Sequence, residues 1–405
     1  MRGVRILGVS PTPTHPTTAG NRARYRALLD RLQQQGAVVR LIHVDQEPGD
    51  LDAMHAHWSG GAVRLPFNLP IPRHTRWNRF ARRCRKYLGV KLDDRTDVDD
   101  WFDPAIIAPF ETEVRTFKPH AVLMLYFWYS ALLDLLPAGV LRILDAQDVF
   151  TDRAARMAKA GIPQEWFSVS AKEESRGLAR FDTVLAIQDF EAQHYRALAR
   201  TPVVTVGHFL PIIETGRPPV EPILLIIGSD NDVNIHGVRW FLAEVWPAVI
   251  ADRPDARLRV AGKVCAHLNA TAGVELCGVV ADLGAVYSGS SLVLNPLRGG
   301  TGLKIKGAEA LGAGRAVVST PSAALGLERA VGRGLVVCAS APEMASTVLS
   351  LLSDGVALAL LGQRAREFAV EWNAAQTGRF DAVFDDVRLK SGHTSHARSR
   401  DNREM

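Results

Sequence analysis

The 405-residue sequence predicts an α/β fold built in two similar halves, and three observations predict it. Short, near-continuous Val/Ile/Leu runs alternate with amphipathic stretches, as they do where parallel strands are buried on both faces under helices. The alternation stops once, over residues 211–222, where four prolines and a glycine restrict φ and remove backbone donors. It then restarts. The length fits roughly two to three domains. With 47 % hydrophobic and 22 % charged residues, the composition excludes a disordered, collagen-like or disulfide-stapled chain.

In the first half, 4–10 reads as a strand: it carries an internal charge, leads into a Pro/Thr loop and lacks a cleavage site, so it is expected to be structure and not a signal peptide. A helix over 20–35 and a strand over 38–44 follow. Further buried strands are expected at 121–127, 141–144, 183–187 and 203–206, with helices near 170–180 and 190–198. The apolar run through 121–129 is far below the ~20 residues of a membrane span, and a cytoplasmic location is expected. After the 211–222 linker, strands are expected at 223–227, 257–260, 274–277, 292–295, 316–319 and 335–337. Helices are expected near 238–251, 305–311, 342–352, 358–370 and 374–389. The Ser/His/Arg/Asn-rich end, 389–405, reads as a frayed, solvated tail. The domains are thus a Rossmann-like 1–210 and a Rossmann-like 223–372, followed by a last helix over 373–388. Ligands in such sheets sit beyond the strand C-termini, so the facing clefts are the expected site.

The net charge of +5 is local. Residues 73–91 hold eight basic residues and no acid, the tail from Arg388 adds +3, and the remaining body carries −6. A whole-surface nucleic-acid binder is therefore not expected. Within the basic segment, Trp77, Phe80, Ala81, Cys84 and Leu88 share one helical face. That face suits either an anionic membrane surface or a core contact with a solvated basic side. Cys84, Cys265, Cys277 and Cys338 are widely spaced and read as structural.

The stretch from Asn295 to Leu311 is the most informative. A buried strand ends at Asn295-Pro296, a Gly-rich loop follows (Arg298-Gly299-Gly300-Thr301-Gly302-Leu303-Lys304), and a helix opens near Lys304. Glycines let backbone N–H groups approach a ligand, and the helix N-terminus adds partial positive charge. Arg298, Lys304 and Lys306 are cations suited to a diphosphate. Glu309, one and a half turns in, can accept from two neighbouring ribose hydroxyls. A ligand-free Gly-rich turn is the plainer alternative; a dinucleotide fingerprint or a P-loop is not present.

Residues 300–311, with Gly312-Ala313-Gly314-Arg315 after them, strongly resemble the donor-binding motif of retaining GT-B glycosyltransferases of family 4. Three further segments are similar in the same order: Gly228 to Leu242, Gly278-Val279-Val280-Ala281-Asp282, and Glu367 to Asn373, the last resembling the start of the family's crossover helix. The resemblance implies two facing Rossmann-like domains and a 373–388 helix packing back on the first. It implies a nucleotide-diphosphate-sugar donor, bound without a metal. Glu309 is the second acid of the family's E-x7-E motif; the first falls on Thr301, so that charged sugar contact is absent. Gly300, Thr301, Gly302 and Leu303 would offer backbone N–H groups to the donor. Val280 and Asp282 would border the base. Gly228 opens the donor-side loop where the family often carries Arg or Lys for the diphosphate; this chain has Asn231 and Asn234 there instead, and Lys304 can take over that task.

On the acceptor side, Gly20 and Asn21 open the first helix, in a loop that faces acceptor and phosphate in the resembling family; a simple capped turn reads equally well. Asp145-Ala146-Gln147-Asp148 resembles a D-x-H-D segment with Gln147 in place of His. Gln cannot titrate and so cannot be a general base. Asp148 becomes the polar group of interest, with helix capping as the other reading. His208 ends the first domain's last strand, as a cleft residue or a structural one. The resemblance implies transfer of a sugar to an acceptor hydroxyl, with Asp148, Lys304 and Glu309 carrying the chemistry, in polysaccharide, glycolipid or other glycoconjugate synthesis. A non-catalytic binder on the same fold and a sugar-nucleotide epimerase are the alternatives.

Overall fold

The computed structural model describes residues 1–68, 96–159, 161, 167–269, 271–300, 302–385 and 387. The first seven strands are β1 (Arg5–Ser10), β2 (Val38–Val44), β3 (Ala62–Leu65), β4 (Ala121–Leu125), β5 (Leu141–Asp145), β6 (Thr183–Ala186) and β7 (Val203–Thr205). They form one sheet in the order β3-β2-β1-β4-β5-β6-β7. The second sheet holds β8 (Ile223–Ile227), β9 (Arg257–Ala261), β10 (Val274–Gly278), β11 (Leu292–Asn295), β12 (Val317–Ser319) and β13 (Leu335–Val337), in the order β10-β9-β8-β11-β12-β13. Every ladder is parallel. Strand order reverses between β1 and β4 in one sheet and between β8 and β11 in the other, and a crevice opens at each reversal.

The central strands are buried because they are apolar on both faces: β4 and β11 are buried at every residue. One apolar core surrounds the first sheet, and two lie on either face of the second. Phe380 and Phe384, from the far end of the chain, complete the core of the first domain.

Several elements differ from the sequence expectation. The stretch read as one helix over 238–251 is two, Asp232–Glu244 and Trp246–Asp252. Pro247 sits in the first turn of the second, where its missing N–H is harmless; Asn231 starts the first by accepting from Asn234 N. The helices read over 358–370 and 374–389 are one 28-residue helix, Gly355–Ala382. The boundary expected at 372/373 therefore falls inside a helix, because the polar residues there pair with the chain at 207–210 and leave the helix intact. Strand β3 and the helices Leu51–His57 and Ile107–Phe117 were not expected. The basic segment 73–91, with Cys84, and the tail 389–405 lie outside the described residues. Among the described residues, no single helix is long and apolar enough to cross a membrane.

Candidate active site

The two crevices face each other, and two helix N-termini meet between them. A Cβ built on Gly20, at the start of the helix Gly20–Gln34, would lie 3.2 Å from Ile305 Cδ1, at the start of the helix Ile305–Gly312. Neither helix has a side-chain cap. Those beginning at Leu51, Ala171, Asp232, Ala341 and Gly355 are capped by Asp50, Ser170, Asn231, Ser340 and Asp354. The two ends bring their first-turn N–H groups, of which Arg22 N already donates to Asn21 Oδ1 at 2.9 Å, and the positive ends of two dipoles to one place.

The glycine-rich loop wraps the Lys304 ammonium, which donates to Gly300 O at 3.1 Å and Gly302 O at 3.0 Å. Gly300 and Gly302 have φ of +85° and +78°, a region glycine enters without Cβ strain. Burial lowers the Lys304 pKa to about 8, against the opposing charges of Asp148 and Glu191. The loop also seats on the first domain: a Cβ on Gly302 would meet Asp148 Oδ1 at 3.0 Å and Gln147 O at 3.2 Å. Leu303 is buried in the core shared between the domains. Thr301 lies outside the described residues.

Glu309 is buried one turn below. Its Oε2 accepts from Lys306 Nζ at 2.8 Å, and its Oε1 lies 3.5 Å from His208 Nε2, across the domains. Burial alone raises its pKa, but Lys306 and His208 outweigh that and take it down to about 2. Burial lowers the His208 pKa, with Glu309 opposing. Neither His208 ring nitrogen completes a hydrogen bond, so the two side chains adjoin without a full pair. The crossover helix holds His208 there. Trp372 Nε1 donates to His208 O at 2.8 Å, Gly207 N donates to Gln376 Oε1 at 2.7 Å, and Asn373 exchanges two 2.8 Å bonds with Leu210.

In the acceptor half, Gln147 turns inward. Its backbone is left-handed, at φ +65°, and its amide donates to Asp145 Oδ2. Asp145 Oδ1 accepts twice from Arg24 in a fully buried ion pair. Asp148 follows, half-buried against Gly302, its own carbonyl accepting from Tyr195 OH at 2.7 Å. Asn21 donates to Tyr126 OH at 3.3 Å.

The remaining residues spread around the second domain. Gly228 follows β8 and lies against Val264, whose Cγ1 a Cβ there would meet at 3.1 Å. The Asn231 side chain is occupied, accepting from Asn234 N and donating to Ser229 Oγ at 3.0 Å. Asp282 caps the helix Leu283–Ser288 through Ala285 N, and Val280 is half-buried beside the core. Arg298 is exposed, with its guanidinium 5.1 Å above the Trp240 ring.

Sequence reasoning passed over Glu191. It lies on the helix Asp189–Leu198, fully buried, with no hydrogen-bond partner on either carboxyl oxygen among the described residues. Burial raises its pKa well above the ordinary range, helped by Asp148 and opposed by Lys304. Its one sequence signal is that it shares a helical face with Tyr195, four residues on.

Residues 221–354 match the model of the family described as glycosyl transferases group 1. An uncharacterised 44.6 kDa protein in the cps region of Klebsiella pneumoniae is 30 % identical over 122 residues, which cover 26 % of this chain and 30 % of that protein. The sucrose-phosphate synthase of Thermosynechococcus elongatus superposes over 95 % of this chain and 100 % of its own, with a TM-score of 0.68 at 14 % identity. Anabaena HepE, in complex with UDP and glucose, does so over 97 % and 100 %, with a TM-score of 0.61 at 12 % identity. Most of the second domain thus matches the group 1 glycosyltransferases, and the chain as a whole has the GT-B fold.

Proposed function

We propose that this glycosyltransferase moves a sugar from a nucleoside-diphosphate sugar to an acceptor hydroxyl with retention, in the synthesis of a polysaccharide, glycolipid or other glycoconjugate. The observation that carries the reading is the meeting of two uncapped helix N-termini beside the Lys304 ammonium. A diphosphate is the ligand such a site suits, since backbone N–H groups, two dipoles and a cation all favour negative charge. The same groups stabilise the charge that develops on the departing phosphate, so the reading needs no metal. Lys304, with a pKa near 8, stays mainly charged at neutral pH. Gly300, Thr301, Gly302 and Leu303 supply backbone donors, and Arg298 is a further cation at the rim. Glu309, ionised and fixed by Lys306, accepts from ribose hydroxyls. Gly228, Asn231, Val280 and Asp282 border the nucleoside.

The acceptor enters from the first domain, past Gly20, Asn21, Asp148 and His208. Gln147 holds Asp145 and shapes the loop. With no titrating group at 147, the acceptor proton passes to the departing phosphate on the same face of the sugar, and Asp148 orients the acceptor hydroxyl. An anionic membrane surface met through residues 73–91 would bring a lipid-linked acceptor within reach at the inner face of the plasma membrane.

Thermal unfolding with UDP, GDP, ADP, CMP and NAD, on wild type and Glu309→Ala, tests the donor site. A ligand at a hundred times its Kd adds ~2.7 kcal/mol, which is about 2–4 °C per kcal/mol at this size. One nucleoside diphosphate is expected to shift wild type and to lose its effect in the variant. No shift with any of the five would sink the donor-site reading. Turnover is tested separately: hydrolysis of the matching nucleotide sugar without acceptor separates a transferase from a binder, and isomerised nucleotide sugar would reveal an epimerase.

A further inference from the structure

One buried acid has no task in the reaction outlined above. Glu191 belongs to the first domain, yet its electrostatic neighbours include Lys304 and the Gly302 backbone of the second, together with Asp148 and Arg24 of its own. It is fully buried, and neither carboxyl oxygen completes a hydrogen bond among the described residues, with the Gly302 backbone near enough to favour the ionised form. A carboxyl stripped of water and left unpaired is costly, and such groups are normally satisfied. Here the unsatisfied acid stands at the junction of the acceptor loop and the donor loop, beside the cation assigned to the diphosphate. Asp148 and Gly302 abut across that junction.

The chemistry of the missing partner follows from the group itself. Ionised, the carboxyl repels a phosphate, and in either state it accepts from hydroxyl groups. A sugar hydroxyl is therefore the fitting ligand, with the diphosphate held by Lys304 beside it. We propose that Glu191 contributes, from the first domain, a ligand to hydroxyl groups of the donor sugar. This rests on the donor-site reading above.

The test separates the sugar from the nucleotide. Affinities of the full-length chain for UDP and UDP-glucose, GDP and GDP-mannose, and ADP and ADP-glucose are measured by calorimetry on wild type, Glu191→Gln and Glu191→Ala. For the pair that binds, both variants are expected to keep the nucleotide affinity within about twofold, and to weaken the nucleotide sugar relative to the nucleotide, by about tenfold in Glu191→Ala and less in Glu191→Gln. The isosteric Gln variant carries the test should Ala fail to fold. A ratio of the two affinities unchanged from wild type in both variants overturns the role of Glu191 and leaves the donor site standing. Equal weakening of nucleotide and nucleotide sugar overturns it in the same way. Failure of wild type to bind any of the six overturns the donor-site reading, and this inference with it.

Discussion

At the scale of single residues, the site sets two buried carboxyls in opposite states. Glu309 gains Lys306 and is held at about 2, below the ordinary 4.5. A depressed acid stabilises the fold at pH above its unfolded value, and that contribution disappears as pH falls from 4.5 to 2. Glu309→Gln should therefore cost up to about 3 kcal/mol at pH 7, and the difference from wild type should close on acidification through that window, read from Tm against pH. Glu191 works the other way. Burial and Asp148 raise it, with Lys304 and Arg24 opposing. A raised acid is most favourable below its unfolded pKa and becomes a burden as pH rises. Glu191→Gln should thus melt above wild type at pH 7 and match it near pH 4; a lower Tm at both values would show the carboxyl to be paired. Glu309 was legible in the sequence because a Gly-rich strand–helix loop announces it within a dozen residues. Glu191 was not, since groups that act on it, Lys304 and the Gly302 backbone, lie more than a hundred positions away.

At the scale of elements, the strands were legible where they are apolar on both faces, and boundaries there moved by two residues at most. The four-residue β3 was missed because it is short and only part-buried. The continuity of Gly355–Ala382 was missed too: the gap left between the two expected helices holds Trp372 and Asn373, the residues that bind 208–210. That helix ties the domains together, since Phe368 packs in the core shared by both and Phe380 in the first. Asn373→Ala removes both bonds to Leu210 and leaves part-buried backbone groups unpaired, a loss of about 1–3 kcal/mol. Because His208 lies two residues from Leu210, the variant should also weaken nucleoside-diphosphate binding several-fold. Chemical denaturation and titration measure the two effects, and a stability loss with unchanged binding would separate the strap from the site.

At the scale of the whole molecule, the cleft works only if the two domains seat against each other, and Gly302 is a point where they touch. Two glycines of the second domain allow the seat to be separated from backbone strain. Gly302 and Gly332 have nearly the same left-handed φ, +78° and +74°, so alanine at either costs roughly 1–2 kcal/mol in conformation. A Cβ on Gly332 meets nothing within 4 Å, whereas one on Gly302 runs into Asp148 and Gln147 of the other domain. Both variants should therefore lose a similar few degrees in Tm. Only Gly302→Ala should also enlarge the radius of gyration by small-angle scattering and weaken nucleotide-sugar binding tenfold or more, because the Cβ must push the domains apart or distort the loop around Lys304. Equal binding in the two variants would place the working contact elsewhere along the cleft, with the meeting of Gly20 and Ile305 as the next to perturb.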